Sequence, residues 1–160
     1  MTTRFRALWN EHPGAGNYPC DEDRFPNQCA IRLGAALERN GIHVTERGVR
    51  TCRSQYDYGH EPPHVLSAQQ LANLLWRNPS LLGPNVTKRR YTSDGGKVAI
   101  RGQDLNRRKG VIFMQNGWGN TDHIDLWDGT NSTIQLRGAR PQDQGAYKTT
   151  FCRAILFWEF

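Results

Sequence analysis

Apolar positions along this chain follow two rhythms. Over Gln28 to Arg39 they recur at helical spacing, with Ile31, Leu33 and Leu37 separated by small residues Ala30, Gly34, Ala35 and Ala36. Asn27 is placed to cap this helix and Gly41 to stop it. The small residues predict a helix lying close against a sheet. A second helix is predicted from Ser67 to Trp76, capped by Ser67, with Leu71, Leu74 and Leu75 in phase. Phe5 to Asn10 predicts a short helix or turn, stopped by Pro13-Gly14, and Asn17 to Pro26 a loop.

The last third changes rhythm. Gly110 to Gln115 is an apolar run suited to a central strand. His123 to Trp127 alternates, with His123, Asp125 and Trp127 on one face and Ile124 and Leu126 on the other. Asp128-Gly129 is a turn signal, so Ser132 to Leu136 is expected to return as the partner strand. Cys152 to Phe160 predicts a final buried strand. Between these regions, Ile42 to Cys52 reads as an extended segment or bent strand, Ser54 to Pro63 as a polar loop, and Gly95-Gly96 as a loop tip. Helices early and an antiparallel sheet late predict an α+β fold. With 160 residues, one catalytic domain over 1–160 is expected.

Composition narrows the function classes. Five Trp, six Phe and five Tyr supply enough apolar bulk for a folded core, which excludes global disorder. The formal charge of +6 favours an anionic partner. The basic runs Lys88-Arg89-Arg90 and Arg107-Arg108-Lys109 read as solvated loops rather than a nucleic-acid stripe. No apolar run approaches the ~20 residues that span a bilayer, and Met1 to Trp9 has no apolar signal core. The expectation is a protein made in the cytoplasm, without membrane insertion or nucleic acid as partner, exported by a route other than the general signal.

Four cysteines in this length are no disulfide scaffold; one bridge among Cys20, Cys52 and Cys152 is conceivable, with no pairing favoured. His60-x-x-x-His64 with Cys52 has ligand-like spacing, but Pro62-Pro63 intervenes and no Cys pair accompanies it, so neither metal nor cofactor is expected.

Cys29 stands at the start of the first helix, where backbone amides and the helix dipole favour a thiolate nucleophile and an oxyanion site. A buried, inert packing thiol is the bland alternative. His123, opening its strand, can face that helix start and act as base. A third group must orient the imidazole. Asp125 shares its face, although same-face neighbours lie roughly 7 Å apart along a strand. Gln135 is expected opposite His123 if the Asp128-Gly129 turn closes a hairpin. Trp118 and Trp127 are candidates for the cleft wall or the core.

FPNQCAIRLGAAL (Phe25 to Leu37), HIDLWDG (His123 to Gly129), the Leu66 to Ala72 helix start and the terminal FWEF resemble the type VI secretion amidase effectors, family four. The resemblance implies a papain-like α+β core related to the cell-wall cysteine peptidases. It implies cleavage of the peptidoglycan stem between γ-D-glutamate and meso-diaminopimelate, as an antibacterial effector acting in the periplasm of a recipient cell. Type VI machinery and a cognate immunity protein are the implied partners. Carried over, Cys29 is the nucleophile and His123 the base. The family places its third residue, an Asp, after the His strand. Thr130 to Arg137 holds no acid, which leaves Asp125, Gln135 or Asp143 for that role. The rival readings are a non-catalytic cell-wall-binding module and a basic nucleic-acid-acting toxin.

Overall fold

The computed structural model describes residues 3–55, 63–118 and 121–160. Most of the polar loop over Ser54 to Pro63, including His60, and the side chain of Trp118 lie outside the described residues. Among the described residues, five α-helices and four strands follow in chain order: α1 (Arg4–Glu11), α2 (Cys29–Arg39), α3 (Cys52–Gln55), α4 (Ala68–Arg77), β1 (Thr87–Tyr91), β2 (Lys109–Trp118), β3 (Thr121–Asp128), α5 (Gln144–Thr149) and β4 (Ala154–Glu159). The fold is α+β, with an antiparallel sheet of order β1-β4-β2-β3.

Helices α1, α2 and α4 form where the apolar pattern placed them, whereas the short α3 and α5 have no counterpart in the sequence reading. Ser67 Oγ accepts from the Gln70 amide at 3.1 Å and caps α4. Helix α2 ends in a glycine motif: Gly41, at φ +73°, donates to Glu38 O and Ile42 to Leu37 O. Its start departs from expectation. Gln28 takes the cap position without a side-chain bond, and Asn27 Oδ1 receives the Cys29 amide only at 3.5 Å. The small stripe does what its composition predicts: a Cβ on Gly34 would sit 3.3 Å from a methyl of Val65, so α2 packs tightly there.

Both faces of the sheet are buried along β2, β3 and β4, while β1 is exposed. Val111, Phe113, Ile124, Leu126 and Trp158 pack against α1, α2 and α4. Ile112, Met114, Trp127, Ile155 and Phe157 pack beneath a second layer containing Val98, Leu105, Leu136 and Cys152. Each fully buried large side chain removes surface worth roughly 2–3 kcal/mol. Trp127 is core, its Nε1 donating to Leu105 O at 2.9 Å.

Three expectations need correction. Strand β3 is an edge strand, and its partner is β2, with His123 opposite Met114. Ser132 to Leu136 touches β3 through a single bridge, Trp127 to Leu136. Ile42 to Cys52 forms no strand: a turn over residues 45–48 interrupts it, Glu38 captures the amides of Val44 (2.7 Å) and Thr45 (2.9 Å) that a strand would use, and Thr51 makes an isolated bridge to Val65. The basic runs are not simply solvated loops. Lys88-Arg89-Arg90 lies in β1, where Arg89 meets Glu159 at 3.1 Å, and Arg108 contacts Glu159 and Asp104, each at 2.7 Å.

Candidate active site

Cys29 is the first residue of α2, and His123 and Asp125 lie on one face of β3. Because β3 is the sheet edge, the start of α2 reaches that face around the strand rather than through the sheet. The Cys29 thiol donates to the Asp122 carbonyl at 3.8 Å and is also a hydrogen-bond partner of the His123 side chain. His123 Nε2 meets Asp125 Oδ2 at 3.0 Å. That contact assigns Nε2–H to Asp125 and leaves Nδ1 for the sulfur. All three residues are buried, Asp125 completely.

Asp125 is held from every side. Leu126 N donates to Oδ1 at 2.8 Å, and Gly138 N approaches both oxygens at 2.9 and 3.0 Å. Burial opposes the charge, but His123 and these donors hold the carboxyl below the usual carboxylate range. Burial also works against a charged His123. Its bonds to Asp125 and Cys29 outweigh that and raise the imidazole to about 9.

Three further residues complete the site, none visible as local sequence patterns. His12, at the end of α1, is buried with Nε2 3.6 Å from Asp125 Oδ1, and its Nδ1 accepts from Gly14 N at 3.0 Å. That acceptor role puts the proton on Nε2, facing the carboxylate. Burial pushes His12 down to about 4 despite the pull of Asp125, and the Arg137 guanidinium adds to the lowering. His12 is therefore a neutral donor near neutral pH. Gln144 is a buried splint: its amide bonds the backbone of Gln135, Leu136 and Ala139, in the loop that supplies Gly138. The Tyr147 ring stacks on His123 at 4.5 Å between centroids, tilted 34°.

A cleft of about 470 Å³ opens onto Cys29 and His123. Arg32, Arg140 and Tyr147 line it, with Tyr18 at its mouth. Arg32 is anchored by a 2.8 Å bond from Nε to Asn17 O and lies over the Tyr18 ring.

Of the residues singled out from sequence, the structure brings together Cys29, His123 and Asp125. It does not bring in Gln135, which lines a separate cavity beside Trp127 and whose carbonyl accepts from Asp128 N, at the far end of β3 from His123. Asp143 reaches the cleft rim ahead of α5, while the Nε2 of His123 is engaged by Asp125.

No helix among the described residues is long and apolar enough to cross a membrane. A search of curated proteins returned no match. The sequence model of the family described as "Type VI secretion system (T6SS), amidase effector protein 4" matches residues 25–158. The match takes in α2, β3 and β4, and on it the chain belongs to the type VI secretion amidase effector 4 family.

Proposed function

We propose that this protein is a cysteine amidase that cuts the peptidoglycan stem between γ-D-glutamate and meso-diaminopimelate. The observation that carries the reading is the line of contacts Cys29–His123–Asp125 at the wall of an open cleft. In this reading the proton rests on Nδ1 of His123, and the Cys29 sulfur attacks the γ-carbonyl carbon. The Cys29 amide, only loosely engaged at 3.5 Å, faces the developing oxyanion at the helix start. Collapse breaks the C–N bond, and His123 gives its proton to the leaving amine. A water then loses a proton to His123 and attacks the thioester, which frees the γ-carboxylate and restores Cys29.

Asp125 keeps the imidazole oriented and charged, and His12 holds Asp125 without carrying charge of its own. Arg32 and Arg140 line the cleft alongside Asp122 and Asp143, and their guanidinium groups offer partners for the carboxylates of a stem peptide. The family membership supports delivery by a type VI apparatus. Antibacterial action in a recipient periplasm, with a cognate immunity protein guarding the producer, completes the reading.

The test is product identity. Purified peptidoglycan is digested and its muropeptides are separated and fragmented by mass spectrometry. A new γ-glutamate carboxyl and a free diaminopimelate amine are expected. Products cut elsewhere in the stem, or an undigested sacculus that the protein merely binds, would overturn the reading.

A further inference from the structure

Cys20, Cys52 and His64 form a second cluster of reactive side chains, separate from Cys29 and His123. Their ligand atoms all lie within 4.8 Å of one another. They come from three segments: the loop before α2, the start of α3 and the chain just before α4. Cys52 and His64 are clamped by backbone bonds, Cys52 N to His64 O at 3.0 Å and His64 N to Cys52 Sγ at 3.2 Å, beside the Thr51–Val65 bridge. On the other side, Gln28 Nε2 donates to Cys20 O at 3.2 Å and to Phe25 O at 2.8 Å. Phe25, Ile31 and Leu66 enclose the two sulfurs in apolar surface.

We infer that Cys20, Cys52 and His64 bind one zinc ion, in a site distinct from the reaction centre. Two sulfurs and an imidazole nitrogen, with no carboxylate among them, form a soft donor set suited to zinc. Tetrahedral zinc, with bonds of about 2.3 Å to sulfur and about 2.0 Å to nitrogen, needs ligand atoms roughly 3.5–3.8 Å apart. The three atoms, within 4.8 Å of one another, must draw in by about 1.3 Å at most. Binding replaces the two thiol protons, which leave to solvent, so the site is formed from Zn²⁺ and two thiols with release of two H⁺. The fourth position goes to water. A disulfide between Cys20 and Cys52 would use the same sulfurs but would give His64 no part. Such a staple would fix the loop from Cys20 to Gln28 that leads into Cys29, and stabilise the fold by the free energy of metal binding.

The experiment uses the full chain carrying Cys29→Ala, so that the reaction-centre thiol offers no ligand. The protein is incubated with zinc chloride, desalted and analysed for metal. Cobalt chloride is titrated in parallel, because thiolate-to-cobalt charge transfer reports sulfur ligation without a further substitution. The expected result is one zinc per chain, a thiolate–cobalt band, and a rise in melting temperature with zinc. Adding Cys20→Ser or Cys52→Ser should abolish retention, and adding Cys152→Ser should leave it intact. Three results would each overturn the inference: no zinc above background, retention that survives loss of both Cys20 and Cys52, or an intact mass showing these two cysteines joined in a disulfide.

Discussion

Asp125 reaches back along its own strand to His123, Oδ2 to Nε2 at 3.0 Å, across a two-residue spacing. Backbone rise sets such neighbours roughly 7 Å apart. The side chains close that gap because Gly138 N and Leu126 N pin the carboxylate in place. Asp125→Asn preserves the shape and removes the charge. Activity should fall by roughly 10²–10⁴-fold, the scale seen when the acid of a catalytic triad becomes an amide. Steady-state rates on a soluble stem peptide, with circular dichroism to confirm folding, provide the check. A loss under threefold would mean that His123 does not depend on this carboxylate.

His12 should act on the reaction through Asp125 rather than on substrate. His12→Gln keeps a donor near the Nε2 position, and His12→Phe removes it. The expected outcome is near-wild-type behaviour for Gln and at least a tenfold lower kcat for Phe. In the Phe variant the alkaline limb of the pH–rate profile should also move to lower pH, since a weakened Asp125 charge no longer holds the His123 proton as tightly. Equal losses in both variants, with an unmoved pH profile, would reduce His12 to packing.

Gly138 lies so close that a Cβ there would stand 3.1 Å from Asp125 Oδ2 and 3.3 Å from Oδ1. The carboxylate is fully buried and pinned by several donors, so it has little room to yield. Gly138→Ala is expected to lower kcat several-fold, with little change in KM. Gln144→Leu, which strips four hydrogen bonds from the loop, should destabilise the fold by roughly 2–4 kcal/mol, given 1–3 kcal/mol per group left unsatisfied and partial relaxation. Denaturant titration measures that. Gln135→Ala should leave the rate within about twofold of wild type.

Stability should peak near pH 6.5. His12 is held at about 4 in the folded state against an ordinary 6.5, so the unfolded chain binds that proton first. Stability therefore falls as pH drops from 6.5 to about 4, by about 3 kcal/mol from this group. Asp125, held below the usual range, adds to the same acid-side loss as pH falls through its folded value. His123 is raised to about 9, so its contribution is complete below 6.5 and disappears as pH climbs to about 9. Urea midpoints at pH 4.5, 6.5 and 9 test this, and His12→Phe should flatten the slope between pH 4.5 and 6.5. A midpoint that rises steadily from pH 6.5 to 9 would contradict the assignment to His123.

Helices α1, α2 and α4 and three of the four strands are legible in sequence because periodicity, caps and apolar runs are local signals; the short α3 and α5 carry none of these. Ser67 and Gly41 behave as their residue types dictate, and the two faces of His123 to Trp127 separate as alternation requires. The partner of β3 was not legible. The link between β2 and β3 spans residues 119–120, in a run rich in Gly and Asn, and Asp128-Gly129 offered a competing turn signal. A hairpin closed at Asp128-Gly129 would set Gln135 opposite His123, a pairing the structure does not make. Asp125 was weakened as a candidate by counting backbone rise alone, when side-chain reach and the donors around the carboxylate decide the contact. His12, at the end of α1, and Gln144 and Tyr147, in α5, reach the site from segments distant in sequence, and no short pattern encodes such contacts. His12 also lies outside the segment matched by the family, residues 25–158.

The most direct measurement compares digestion of purified peptidoglycan by the wild-type protein, Cys29→Ala and His123→Ala, each confirmed as folded and used at equal concentration. The account predicts stem cleavage by the wild type, none above background with Cys29→Ala, and a reduction of at least a thousandfold with His123→Ala, the scale of losing a catalytic-triad member. Cleavage by Cys29→Ala at the wild-type rate would contradict it.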